Sequence, residues 1–132
     1  MAKITDAMKE LIHTQQCFIA TASPEGAPNL GPKGSTRVLD DEHLMFTEIT
    51  GQQTWANVQA GSQVAVAVVG ADRRSGYRFV GSPEVVTAGP LFEAAAEAMR
   101  ARGVPGAVKG VVVMKVDAIY SLAGPNPGQR IA

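Results

Sequence analysis

The sequence predicts a mainly β fold, a small six-stranded antiparallel β-barrel with short helices, in a single domain spanning residues 1–132. Three observations carry that expectation. Short apolar and β-branched runs recur along the chain, parted by turn signals such as Pro24-Glu25-Gly26, as in an antiparallel barrel. Helical periodicity is confined to three short windows. No repeat or long linker divides the chain, and a chain of 132 residues can bury roughly two-thirds of the surface exposed on unfolding.

The elements follow in order. Residues 5–15 form an amphipathic helix: Ile4, Met8, Leu11 and Ile12 share a face, and Thr5 or Asp6 caps the first turn. Residues 17–23 are β-leaning and end at Pro24-Glu25-Gly26, where Pro presets φ and Gly supplies a positive φ. The second strand passes through Pro28 and Pro32, which confine its first part to an edge or a bulge, and continues over residues 35–39. Asp40-Asp41-Glu42 turns the chain into a third strand, residues 44–48, and a short helix opens at Thr50 and stops near Gly61. Residues 63–69 are almost wholly apolar and read as a strand buried on both faces. Residues 77–86 form a strand with a bulge signalled by Gly81 and Pro83. A third helix covers residues 90–102, with Pro90 early and Gly103 just past its end. Residues 110–122 are the last strand, and residues 123–128 a loose tail.

Bulk properties narrow the function. Lys plus Arg equals Asp plus Glu at 12 each, without a basic run, which argues against nucleic acid and against a polybasic membrane contact. Cys17 is alone, so there is no intrachain disulfide or Cys-based metal site, and core packing is its expected role. The first residues lack the apolar core of a secretory signal, and no window approaches the ~20 apolar residues needed to cross a bilayer. A cytoplasmic location is expected.

The familiar catalytic constellations are missing. His13 and His43 have no second ligand at metal spacing and read as solvated. No nucleophile elbow, P-loop or dinucleotide fingerprint follows a strand. Glu93 and Glu97 share a helix face, a pattern typical of solvated surface. One stretch, residues 28–58, has a coherent chemistry. Lys33, Ser35 and Arg37 share a parity, so on a regular strand they project from one side. Thr47 lies on the next strand, and the helix opening at Thr50 aims free N–H groups back at the strand ends. An ammonium, a guanidinium, hydroxyls and backbone donors around one point suit a phosphate. The same residues have blander roles open to them: Thr50-x-x-Gln53 is also a capping box, and Lys33 and Arg37 also suit a charged edge strand.

The order of these motifs resembles the flavin-binding split-barrel family of pyridoxamine 5′-phosphate oxidase and small FMN-binding proteins. It runs from Cys17 to about Leu122 through residues 28–35, Arg37-Val38-Leu39-Asp40, Met45-Phe46-Thr47, residues 53–58 and residues 76–81. The resemblance implies a six-stranded split barrel and a homodimer with FMN at the subunit interface. It implies FMN contacts from Ser35 and Arg37 on the second strand, Phe46 and Thr47 on the third, and Gln53 and Thr54 at the helix start; Asn57 takes a structural role. Relatives often carry Lys or Arg where this chain has Gln52 and Gln53, which leaves Lys33 and Arg37 to supply the charge and implies looser binding.

The function expected from this is a redox flavoprotein or oxidoreductase acting on a small molecule, with no protein acid or base identified. Alternatives are a non-catalytic FMN carrier or sensor, or the same barrel holding a deazaflavin or a haem. Haem is disfavoured because neither histidine falls in the predicted groove. Trp55, Tyr77 and Tyr120 are open to either packing or a place near the flavin.

Overall fold

Alternation along each strand builds the barrel. In β1 (Cys17–Ala22), Cys17, Ile19 and Thr21 are buried while Phe18 points outward. The computed structural model, which describes residues 2–132, adds β2 (Pro28–Pro32), β3 (Arg37–Asp40), β4 (His43–Glu48), β5 (Val64–Val69), β6 (Gly76–Val86) and β7 (Gly110–Ser121). All seven join one antiparallel sheet in the order β2-β1-β5-β6-β7-β4-β3. Its inner face packs Ile19, Leu44, Phe46, Val66, Phe79, Val112 and Ile119 into one core. Each such side chain contributes about 1.5–3 kcal/mol when fully buried. The mainly β class is as expected.

There are seven strands rather than six, because the expected second strand breaks in two. β2 pairs with β1 and β3 with β4, at opposite edges of the sheet. Residues 33–36 join those edges as a turn: the Thr36 N–H and hydroxyl both donate to the Lys33 carbonyl, at 3.1 and 2.7 Å. Pro32, with no N–H, ends β2. Lys33, Ser35 and Arg37 therefore do not alternate along one regular strand.

Among the described residues two helices pack against the barrel core and a third lies outside the sheet. α1 (Asp6–Thr14) is capped by Thr5, whose hydroxyl accepts the Met8 N–H, and it buries Met8 and Ile12. α2 (Gln53–Gln59) buries Asn57 and Val58 and contacts β1 and β2. It starts three residues later than expected, without the capping box, because Gly51 sits at φ 65° and breaks the helical path. α3 (Pro90–Ala101) follows Gly89, with Pro90 in its first turn. It lies outside the sheet over a small separate cluster of Met45, Ala95 and Val111.

The expected bulge in β6 falls between Val80 and Gly81. A Cβ at Gly81 would lie 1.8 Å from the Lys115 carbonyl oxygen, so only glycine fits. Two further expectations need correction. β5 is not buried on both faces: Val64, Val66 and Val68 are inside, while Ala65 and Ala67 are half-buried and Val69 is exposed. The tail, residues 123–128, is not loose throughout, since the Ser121 hydroxyl donates to the Ala123 carbonyl and the Gly128 N–H to the Ser121 carbonyl, each at 2.6 Å. Cys17 packs as expected; it is 2% exposed, and burial pushes its thiol pKa up to about 11.

Candidate functional site

The turn between β2 and β3 brings the polar groups together. Ser35 takes up the β3–β4 ladder with its side chain: Oγ donates to the Thr47 carbonyl at 3.1 Å and accepts the Thr47 N–H at 2.8 Å. Both residues line a cleft of about 440 Å³ between the end of α1, this turn and α3. Lys33 and Arg37 line it too, so four of the seven predicted residues converge. A smaller recess of about 210 Å³ shares Lys33, Ser35 and Thr47 and extends to Thr50.

The other three lie elsewhere. Phe46 is 2% exposed and points into the core, as its parity opposite Met45 and Thr47 requires. Gln53 Nε2 donates to Asn57 Oδ1 at 2.7 Å, and Thr54 Oγ1 accepts from Asn29 Nδ2 at 2.9 Å. Asn57 in turn donates to Thr21 Oγ1 at 3.0 Å, which ties α2 to β1 and gives Asn57 the structural role expected of it. Trp55 is packing: it is half-buried against the main core, and its ring closes over Gly110. Tyr77 also packs on the core, while the Arg78 guanidinium stacks 4.4 Å from the Tyr120 ring centroid.

The electrostatics differ from the simple convergence of donors. Lys33 Nζ contacts Glu48 Oε2 at 2.7 Å. That carboxylate is fully buried, and Oε2 also accepts from Thr50 Oγ1 at 3.1 Å and the Gly51 N–H at 3.3 Å. Arg37, by contrast, makes no ion pair among the described residues. Arg102, just past α3, makes none either, and it lines both the cleft and the recess. Two uncommitted guanidinium groups on one cleft fit an anionic ester, while the Ser35 proton is committed to the Thr47 carbonyl. No cluster of three or more His, Cys, Asp or Glu suited to a metal ion occurs among the described residues.

Sequence reasoning missed Glu48, Arg102 and His13. Glu48 was signalled by parity, since it shares the inward face of β4 with Leu44 and Phe46. Arg102 had no such signal, because only the packing of α3 brings it to the cleft. His13 is not simply solvated: it lines the cleft, and its Nε2 accepts the Val38 N–H at 3.1 Å. The premise that kept histidine out of the groove therefore fails. His43 pairs with Asp40 at 2.7 Å, holding the Asp40 carboxyl below the usual range.

Comparison with known proteins agrees with this architecture. The family model of pyridoxamine 5′-phosphate oxidase matches residues 4–122. An uncharacterized protein of Methanocaldococcus jannaschii is 30% identical over 135 residues, covering all of this chain and 90% of that protein. The crystal structure of HupZ from Group A Streptococcus superposes with a TM-score of 0.86 at 37% identity, covering 98% of this chain and 99% of that one. An FMN-binding protein from Syntrophomonas wolfei shares the fold at a TM-score of 0.75 and 16% identity, over 89% of this chain and 85% of that one. With a family match over nearly its whole length, the chain belongs to the pyridoxamine 5′-phosphate oxidase family.

Proposed function

We propose that this protein is an FMN-binding flavoprotein with a redox role, working as a homodimer in the cytoplasm. The observation that carries the reading is the meeting of Ser35, Arg37, Thr47 and Arg102 on one cleft beside Lys33. In this reading Arg37 and Arg102 hold the phosphate, and Ser35, bonded to both backbone groups of Thr47, fixes the turn beside it. Phe46 fixes β4 from the core side, while Gln53 and Thr54 act through their bonds to Asn57 and Asn29, which set α2 against the barrel. Bound FMN would supply electron and hydride chemistry, leaving orientation and electrostatics to the protein. Among the described residues no helix is long and apolar enough to cross a membrane.

The absorbance spectrum of freshly purified protein is the first test, with the two-banded spectrum of oxidised flavin expected. Titration with FMN then tests the placement. Arg37→Ala and Arg102→Ala should each weaken binding by on the order of 1.5–3 kcal/mol, the range for hydrogen bonds to charged groups. Two variants that bind as tightly as wild type would refute the site. Reduction of the bound flavin by NADH or NADPH, followed by electron transfer to an acceptor, separates an oxidoreductase from a carrier.

The second reading is haem in the same cleft: His13 stands on its wall and would ligate iron once its Nε2 releases the Val38 N–H. A Soret band in haem-loaded protein that His13→Ala abolishes would support it. A flavin spectrum in the purified protein would displace it.

A further inference from the structure

We propose that Glu48 is a built-in competitor for the ligand's anionic group, and that it sets the charge preference of the cleft. The proposal rests on the reading of the cleft as an anion site. Glu48 is 0% exposed, on the inward face of β4, and its Oε2 gathers an ammonium, a hydroxyl and a backbone N–H. Those are the donor types that a phosphate would seek, and here a side chain of the protein already holds them.

Lys33 is the shared member. Its side chain is 16% exposed, lying between the buried carboxylate and the cleft that it lines. Glu48 Oε1, meanwhile, is buried without a hydrogen-bond partner, so the carboxylate relies on what reaches Oε2. Drawing Lys33 outward onto a ligand strips a buried charge of its ionic partner, which is strongly unfavourable. A neutral ligand, or a monoanion held by Arg37 and Arg102, leaves the pair intact. A dianion that recruits Lys33 has to compete with Glu48 for its charge. Glu48 therefore lowers affinity for doubly charged ligands without touching them.

Glu48→Gln tests this. The amide keeps an oxygen for Thr50 and Gly51 and frees the lysine charge. Inorganic phosphate and FMN should then bind on the order of tenfold more tightly, one charge-assisted hydrogen bond's worth, while riboflavin, which lacks the phosphate, binds as before. In wild type, phosphate titration should also shift the Gly51 amide resonance, because its acceptor moves as Lys33 leaves; this readout decides the matter if the variant does not fold. Unchanged phosphate and FMN affinity in Glu48→Gln, or a Gly51 amide that stays put while phosphate shifts Arg37, overturns the role of Glu48 and leaves the anion site standing. Failure of wild type and variant alike to bind phosphate or FMN overturns both.

Discussion

Lys33 is where ligand binding and folding make opposite demands on one side chain. If it served only a ligand, its removal would leave stability unchanged. As the partner of a fully buried carboxylate at 2.7 Å, its removal leaves an uncompensated charge, which costs about 3–5 kcal/mol. Lys33 is partly exposed, so the lower end applies. Lys33→Ala should lower the unfolding free energy in urea by about 3 kcal/mol, and adding Glu48→Gln should restore most of the loss. A single variant as stable as wild type would show that water or a neighbour compensates Glu48. The pair illustrates what the residues alone disclosed. The parity of Glu48 with Leu44 and Phe46 was readable, as was the cationic character of Lys33. Their pairing was not, because it depends on the turn at residues 33–36 bringing two sheet edges together.

Among the elements, strands with strong alternation were legible and those defined by distant pairing were not. β1, β4, β6 and β7 fall close to their expected places, and the Gly81 bulge was signalled by the residue itself. The break between β2 and β3 escaped notice because each half is decided by a different partner strand. The start of α2 was misread because Thr50-x-x-Gln53 satisfies the capping pattern locally, while Glu48 claims the Thr50 hydroxyl and Gly51 turns the backbone. α3 is the element whose behaviour matters most for the cleft. It supplies Ala95, Ala98 and Met99 to one wall and Arg102 at its end, yet its buried contacts form a cluster apart from the main core. Helices with few core contacts open locally at less than the global free energy. Amides of α3 should therefore exchange with deuterium well before those of β5, β6 and β7, and saturating FMN should slow them by holding Arg102. Exchange of α3 in step with the central strands would show a fixed wall instead.

At the scale of the molecule, the unresolved demand is the outer face of β1, β2, β5 and β6. Register places Pro32, Phe18, Ala67 and Arg78 in one row across it, and Leu30, Ala20, Ala65 and Val80 in the next. Phe18 is 41% exposed and Leu30 67%, and among the described residues no helix layer turns this surface into core. An apolar strand face of this kind is what β5 would present if a second layer were to cover it. The proposed homodimer would supply that layer: a two-fold interface would set the patch against its own copy, and Pro32, at the end of the first row, also lines the recess beside Lys33. Wild-type protein should then sediment as a dimer at micromolar concentration. Phe18→Asp with Leu30→Asp would place like charges across the two-fold axis, so the double variant should sediment as a monomer while keeping its β-sheet circular dichroism. It should also bind FMN more weakly, although neither residue lines the cleft, because a site bordered by two subunits loses one of them. A dimer that survives both substitutions would move the interface to another face, and a monomeric wild type would leave the outer sheet without the cover its composition asks for.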